Sequence, residues 1–178
     1  MDELESRMGP GSVRASLAKP LGLANLGANH YELEPGESLA FGVHAHEHQE
    51  ELFVVQAGAV TFETYPDREA AIAGGAGSSS GASGAGGAGG DDRGETVVVE
   101  AGEVARAASG EYQRGRNEGA ARAVVFAVGA PRDAGELDLL RECDACEART
   151  AHRIELADDR SAVLAVCETC EGETARYE

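Results

Sequence analysis

Lysine is all but absent from this chain. Lys19 is the only lysine among 15 basic side chains, which face 32 aspartates and glutamates. The formal net charge of −17 at pH 7 leaves no basic patch. Binding to a nucleic-acid backbone needs clustered cations that displace counterions, so nucleic acid is not expected as a partner. Long apolar runs are missing too. Nothing approaches the roughly 18 consecutive apolar residues of a membrane-spanning helix, so no membrane association is expected. Residues Met1 to Gly11 are polar and acidic, without the apolar centre of a signal peptide, and the expected compartment is the cytoplasm. Aromatics are sparse, at 4% of the sequence, whereas alanine and glycine abound. This acidic, lysine-poor composition fits a protein of a salt-accumulating halophile. There, hydrated carboxylates maintain solubility and multimolar salt shortens the Debye length to a few ångströms. The competing reading is a moderately acidic cytosolic protein of a GC-rich mesophile.

A length of 178 residues accommodates one ordinary domain with a small satellite, or one domain with a long loop. From residue 13 to 66, short apolar runs alternate with turn signals. His30 to Leu33, Leu39 to Val43, Leu52 to Val55 and Val60 to Tyr65 are the runs; Pro35-Gly36 and Ala57-Gly58 are turns between them. Thr96 to Glu100 and Val104 to Arg106 continue the series, and Ala121 to Val128, the most apolar stretch, reads as a central strand. Short strands at this spacing predict an all-β antiparallel barrel or sandwich. From Gly74 to Gly90 every residue is Gly, Ala or Ser. Such a segment buries too little apolar area to offset its ordering entropy, and it reads as a flexible loop inserted between two barrel strands. A short acidic helical turn is expected near Glu136 to Leu140. The organisation expected is an N-terminal extension over 1–28, a barrel over 29–130 and a cysteine-bearing tail over 141–178.

The densest chemistry lies in His44-Ala45-His46-Glu47-His48-Gln49-Glu50-Glu51. Residues two apart on a strand share a face, so His44 and His46 can both point into a barrel. Glu51 opens the next apolar run and can reach the same point. Two imidazoles and a carboxylate form a facial set with open positions, suited to Fe(II), Mn(II), Ni(II) or Zn(II). His48 joins the set if the strand alternation runs that far. Glu50, His48 and Tyr112 are general-base candidates by position only.

These residues resemble the first motif of the cupin superfamily, G-x5-H-x-H-x3–4-E-x6-G, matched here from His44 through Gly58, with Ser38 at the leading glycine. The second motif, G-x5-P-x-G-x2-H-x3-N, is matched by Gly102, Gly110 and Asn117, with Ala108 for the proline and Gln113 for the histidine. The resemblance implies a single jelly-roll-like antiparallel barrel and a small-molecule ligand, and suggests a homodimer formed through edge strands or sheet faces. It also implies a fourth metal ligand where Gln113 stands. An amide oxygen is a weaker donor than imidazole. Three readings therefore remain: Gln113 as a weak ligand or a hydrogen-bonder beside the ion, His48 as its substitute, or a pocket that has lost metal.

All four cysteines fall in Cys143-x2-Cys146-x20-Cys167-x2-Cys170. Paired C-x2-C knuckles at this separation are the pattern of a structural Zn(II) site, joined here by a hairpin from Arg149 to Leu156 and Ser161 to Val166. The pattern resembles a zinc ribbon. Disulfides do not suit a cytoplasmic chain, and a redox C-x2-C ordinarily stands alone in a βαβ context. Four thiolates fill a tetrahedral site, which leaves His152 a bystander. Acidic residues around the knuckles point away from nucleic acid and toward a protein contact or capping of the barrel.

The function this implies is a metal- and small-molecule-binding cupin, a metal-dependent oxygenase or isomerase if it is an enzyme. The rival is a non-catalytic ligand-binding or regulatory module whose ribbon contacts a protein.

Overall fold

The computed structural model describes residues 6–74 and 94–178. Residues 75–90 of the Gly/Ala/Ser segment lie outside the described residues. In chain order the elements are β1 (Val13–Ser16), β2 (Gly27–Leu33), β3 (Val43–His46), β4 (Glu50–Ala57), β5 (Ala59–Tyr65) and the helix α1 (Arg68–Gly74). They continue with β6 (Glu95–Glu100), β7 (Val104–Ala107), β8 (Tyr112–Arg116), β9 (Ala123–Ala130) and β10 (Leu137–Cys143). The last three are β11 (Ala148–Leu156), β12 (Val163–Cys167) and β13 (Glu173–Tyr177).

The strands form two antiparallel sheets, ordered β1-β2-β9-β4-β7 and β13-β12-β11-β10-β3-β8-β5-β6. The fold is all-β, a cupin-type barrel of two facing sheets. Period-two burial explains it: Ala123, Val125 and Ala127 of β9 turn inward while their neighbours are only half-buried. They meet Leu33, Phe53 and Val55 of their own sheet and Val60, Phe62 and Val99 of the other. Phe53 and Phe62 touch across the sandwich with ring centroids 5.0 Å apart. Each fully buried aliphatic or aromatic side chain of this kind contributes about 1.5–3 kcal/mol. The expected central strand occupies the middle of its sheet, two residues later than its apolar run suggests. On the two sides of the Gly/Ala/Ser segment, β5 and β6 pair in continuous register from Ala59↔Glu100 to Thr64↔Glu95.

Two local expectations are corrected, and one helix was not anticipated. The residues near Glu136 to Leu140 are not helical. Leu137–Cys143 is strand β10, paired with β3 on one side and β11 on the other. Local helix propensity loses there to a ladder on both edges and to burial of Leu139 and Leu140. The run Leu39 to Val43 becomes a strand only from Val43, because Leu39 instead donates its N–H to the Gly115 carbonyl. A helix with no apolar period, α1, follows β5; Asp67 caps it, accepting the Ala70 N–H at 2.9 Å.

The cysteine-bearing strands continue the larger sheet. Because β10 pairs with both β3 and β11, the tail and the barrel share one ladder. Arg149 of β11 reinforces the junction. Buried, it donates to Glu142 at 2.9 Å and to the Ala71 carbonyl of α1 at 2.8 Å, and it lies over the Tyr65 ring.

Candidate metal centres

On β3, Val43 and Ala45 face a cluster beneath α1 and β10 with Tyr65, Ala71 and Leu140. His44 and His46, on the alternate face, enter the barrel. Glu51 reaches them from β4 in the opposite sheet, so the set bridges the sandwich. Both histidine Nε2 atoms lie 3.5 Å from Glu51 Oε2. Two donors of one ion, each bonded at about 2.1 Å, stand roughly 3.0–3.4 Å apart. Both imidazole–carboxylate distances therefore suit a shared divalent cation, and all three donor atoms lie within 4.8 Å of one another. His44 Nδ1 lies 3.2 Å from the Gly42 carbonyl, a contact that would hold the proton on Nδ1 when an ion occupies Nε2. His46 Nδ1 is buried without a partner among the described residues.

Gln113 stands opposite His44 in the β3–β8 register. Its Nε2 donates to Glu51 Oε2 at 2.9 Å and lies 3.1 Å from His44 Nε2. Its Oε1 is buried and unpartnered among the described residues. The amide thus bridges the carboxylate and the imidazole directly. Burial alone would raise the Glu51 carboxyl, but contacts with His44 and His46 outweigh it and hold the group at about 2.

The other candidates point elsewhere. His48 is exposed, 3.6 Å from Glu47, since β3 ends at His46. Glu50 pairs with Arg106 on the surface, and Tyr112 donates its hydroxyl to Asp138.

The trio lines a cavity of about 170 Å³ whose walls also include Arg14, Asn29, Tyr31, Phe41 and Gln49. Sequence reasoning missed these five. They sit on β1, β2 and irregular segments, and no motif spacing links them to the histidines. Burial pushes the Tyr31 hydroxyl up, with the neighbouring Arg14 acting in the opposite direction.

The four cysteines are free thiols that converge at the tips of two hairpins. Sγ of Cys143 lies 3.6 Å from that of Cys170, and Sγ of Cys146 lies 3.9 Å from that of Cys167. Sulfurs sharing one tetrahedral ion at bond lengths near 2.3 Å stand about 3.8 Å apart, so the cluster could bind a metal. The Thr150 hydroxyl, 3.2 Å from Cys167 Sγ, draws that thiol down to about 5. The Cys143 thiol pushes Cys146 up to about 12. His152 is not part of this cluster: its Nδ1 bonds the Thr150 carbonyl at 2.9 Å.

Fold and site together define a cupin-type double-stranded β-helix with a histidine–carboxylate pocket and a cysteine cluster near its C-terminus. No protein-family model and no curated protein matches the chain. Among solved structures, it is similar to a cupin-superfamily sugar phosphate isomerase from Silicibacter pomeroyi, with a TM-score of 0.50 and 20% identity, over 98% of this chain and 88% of that one. It is also similar to oxalate decarboxylase from Bacillus subtilis, with a TM-score of 0.50 and 13% identity, over 78% of this chain but 29% of that one. At these identities the likeness speaks for the fold. No helix among the described residues is long and apolar enough to cross a membrane.

Proposed function

We propose that this chain is a metal-dependent cupin that holds a divalent ion (Fe, Mn, Ni or Zn) at His44, His46 and Glu51 and acts on a small molecule in the barrel, as an oxygenase or isomerase. The observation that carries the reading is the convergence of both Nε2 atoms on Glu51 Oε2, at 3.5 Å each, on a cavity wall. An ion bound there supplies Lewis acidity or an O₂-binding centre. The chain's own contribution is positional. Gly42 fixes the His44 tautomer, Gln113 offers its amide to substrate or water, and Leu137, Leu139 and Phe53 keep the cavity wall apolar.

The cysteine quartet is read as a structural Zn(II) site that makes residues 141–178 a zinc-ribbon-like tail, folding largely on metal binding. Its acidic surroundings favour a protein contact over nucleic acid. The cytoplasm of a salt-accumulating cell, and a homodimer, complete the reading.

One observation favours a second reading, a non-catalytic ligand-binding or regulatory module. Gln113 already satisfies Glu51 and His44 through one amide group, at 2.9 and 3.1 Å, so the trio has a bonded arrangement that needs no ion. Metal counting separates the two. Purified in high salt, the protein is expected to carry two ions per chain, one lost in Cys143→Ser/Cys146→Ser and the other in His44→Ala/His46→Ala. A single zinc, wholly lost with the cysteines, would sink the metalloenzyme reading.

A further inference from the structure

We propose that the barrel cavity is shaped for a short monocarboxylic acid, with its carboxylate on Arg14 and its other end directed at His44, His46 and Glu51. Only the second half of this rests on the metal reading above; the first half stands on Arg14 and the cavity.

Arg14 belongs to β1, at the edge of the five-stranded sheet, and contributes to the cavity wall along with the histidines of the opposite sheet. In a chain of net charge −17, an arginine ordinarily has carboxylates to choose from. Arg68, Arg106, Arg122 and Arg149 each contact one. Among the described residues Arg14, like Arg7, Arg116, Arg132, Arg141 and Arg160, has no carboxylate within ion-pair distance, and of these it alone lines this cavity. Its guanidinium instead lies over the Phe41 ring, 5.4 Å from the centroid, beside the Tyr31 hydroxyl. Phe41 is itself held edge-on by Tyr177 of β13 at 5.2 Å. The cation is thus held against an aromatic ring and hydrogen-bonded to the Tyr31 hydroxyl, and among the described residues no carboxylate takes up its remaining donors.

Size and charge narrow the class. A cavity of about 150 Å³ holds a benzene ring, so the 170 Å³ here suits about six to eight non-hydrogen atoms. Arg14 is the only arginine or lysine on that wall among the described residues. One guanidinium balances one negative charge; a phosphate ester at the Arg14 end would bring a second charge that no other arginine or lysine on the described wall meets. Asn29 and Gln49 add polar groups to the wall, while Leu137, Leu139 and Phe53 suit a short carbon skeleton. A carboxylate at one end and an oxygen at the other would span Arg14 and the trio.

Calorimetric titration of the full-length, metal-loaded protein tests this. The probes are acetate through hexanoate, their 2-hydroxy derivatives, the matching amides, and propylphosphonate as a dianion. At least one acid is expected to bind more tightly than about 1 mM, with its amide and the phosphonate at least tenfold weaker. Arg14→Gln should lose about tenfold or more in affinity for the acid, the worth of a charge-assisted pair, with thermal midpoint and metal content unchanged. Arg14→Lys, which keeps the charge but not the fork, should fall between and guards against a folding defect in the glutamine variant. Equal binding of acid and amide, tighter binding of phosphonate, no binding of any acid, or wild-type affinity in Arg14→Gln would each overturn the proposal. Arg14-dependent binding in a barrel without metal would instead count against the metal reading alone.

Discussion

Gln113 occupies the position from which a second imidazole strand partner would reach His44 and Glu51, and its amide already bonds both. Replacing it with histidine exchanges a weak neutral donor for a strong one, on a backbone already in register with His44. Gln113→His is expected to raise barrel metal affinity by at least about tenfold, read by competition against a chelator. Glu51 sets the acid behaviour of the metal-free protein. Its folded value of about 2 lies below its unfolded 4.5, so its stabilisation is fully present above pH 4.5. As pH falls from 4.5 toward 2, the unfolded chain takes up a proton that the folded one refuses, and that stability is lost. Urea midpoints at pH 6 and pH 3 check this: Glu51→Gln should be weaker at pH 6 and lose less on acidification. At this scale the sequence was informative wherever chemistry recurs at strand spacing, as in His44, His46 and Glu51. Arg14 and Tyr31 were invisible because a cavity wall collects residues from strands that are distant in sequence.

The strand β3, only Val43–His46, depends on its neighbour β10 more than on β8. It meets β8 at a single register pair, His44↔Gln113, but β10 from Val43↔Leu140 to His46↔Leu137. The approach is close: a Cβ on Gly42 would fall 2.4 Å from the Leu140 carbonyl oxygen and 2.7 Å from Arg141 Cγ. Gly42→Val should therefore push the two strands apart, destabilising by about 1–3 kcal/mol and lowering barrel metal content through displaced histidines. Thermal unfolding and metal analysis measure the two effects. The same strand shows where sequence reading stopped. Glu136-Leu137-Asp138-Leu139-Leu140 carries good helix formers, and nothing local announces that β3 and β11 will claim both its edges. Hairpin β11–β12 was legible from its two apolar runs and intervening turn, and the four-cysteine pattern marked the tips. Helix α1 was not, because Arg68–Gly74 is too short for a period to emerge.

As a whole the molecule carries −17 charges at pH 7 on a core rich in alanine and valine. The composition reading predicts that raising KCl from about 0.1 M to about 2 M, which shortens the Debye length from about 10 Å toward 3 Å or less, increases the thermal midpoint; a flat or falling profile would place the chain among low-salt proteins. Barrel closure is long-range, since β2 at Gly27 must find β9 at Gly129, and such topologies fold slowly. The shared ladder between tail and barrel then has a further meaning. Without the tail, β3 would present the backbone of its histidine strand as an open sheet edge, a template for another chain to pair with. A chain ended after Arg132 is expected to associate into soluble oligomers or aggregates, read by light scattering, while the full chain remains dispersed. On this view β10 protects the histidine strand from its own copies, and the cysteine cluster beyond it fastens the guard in place.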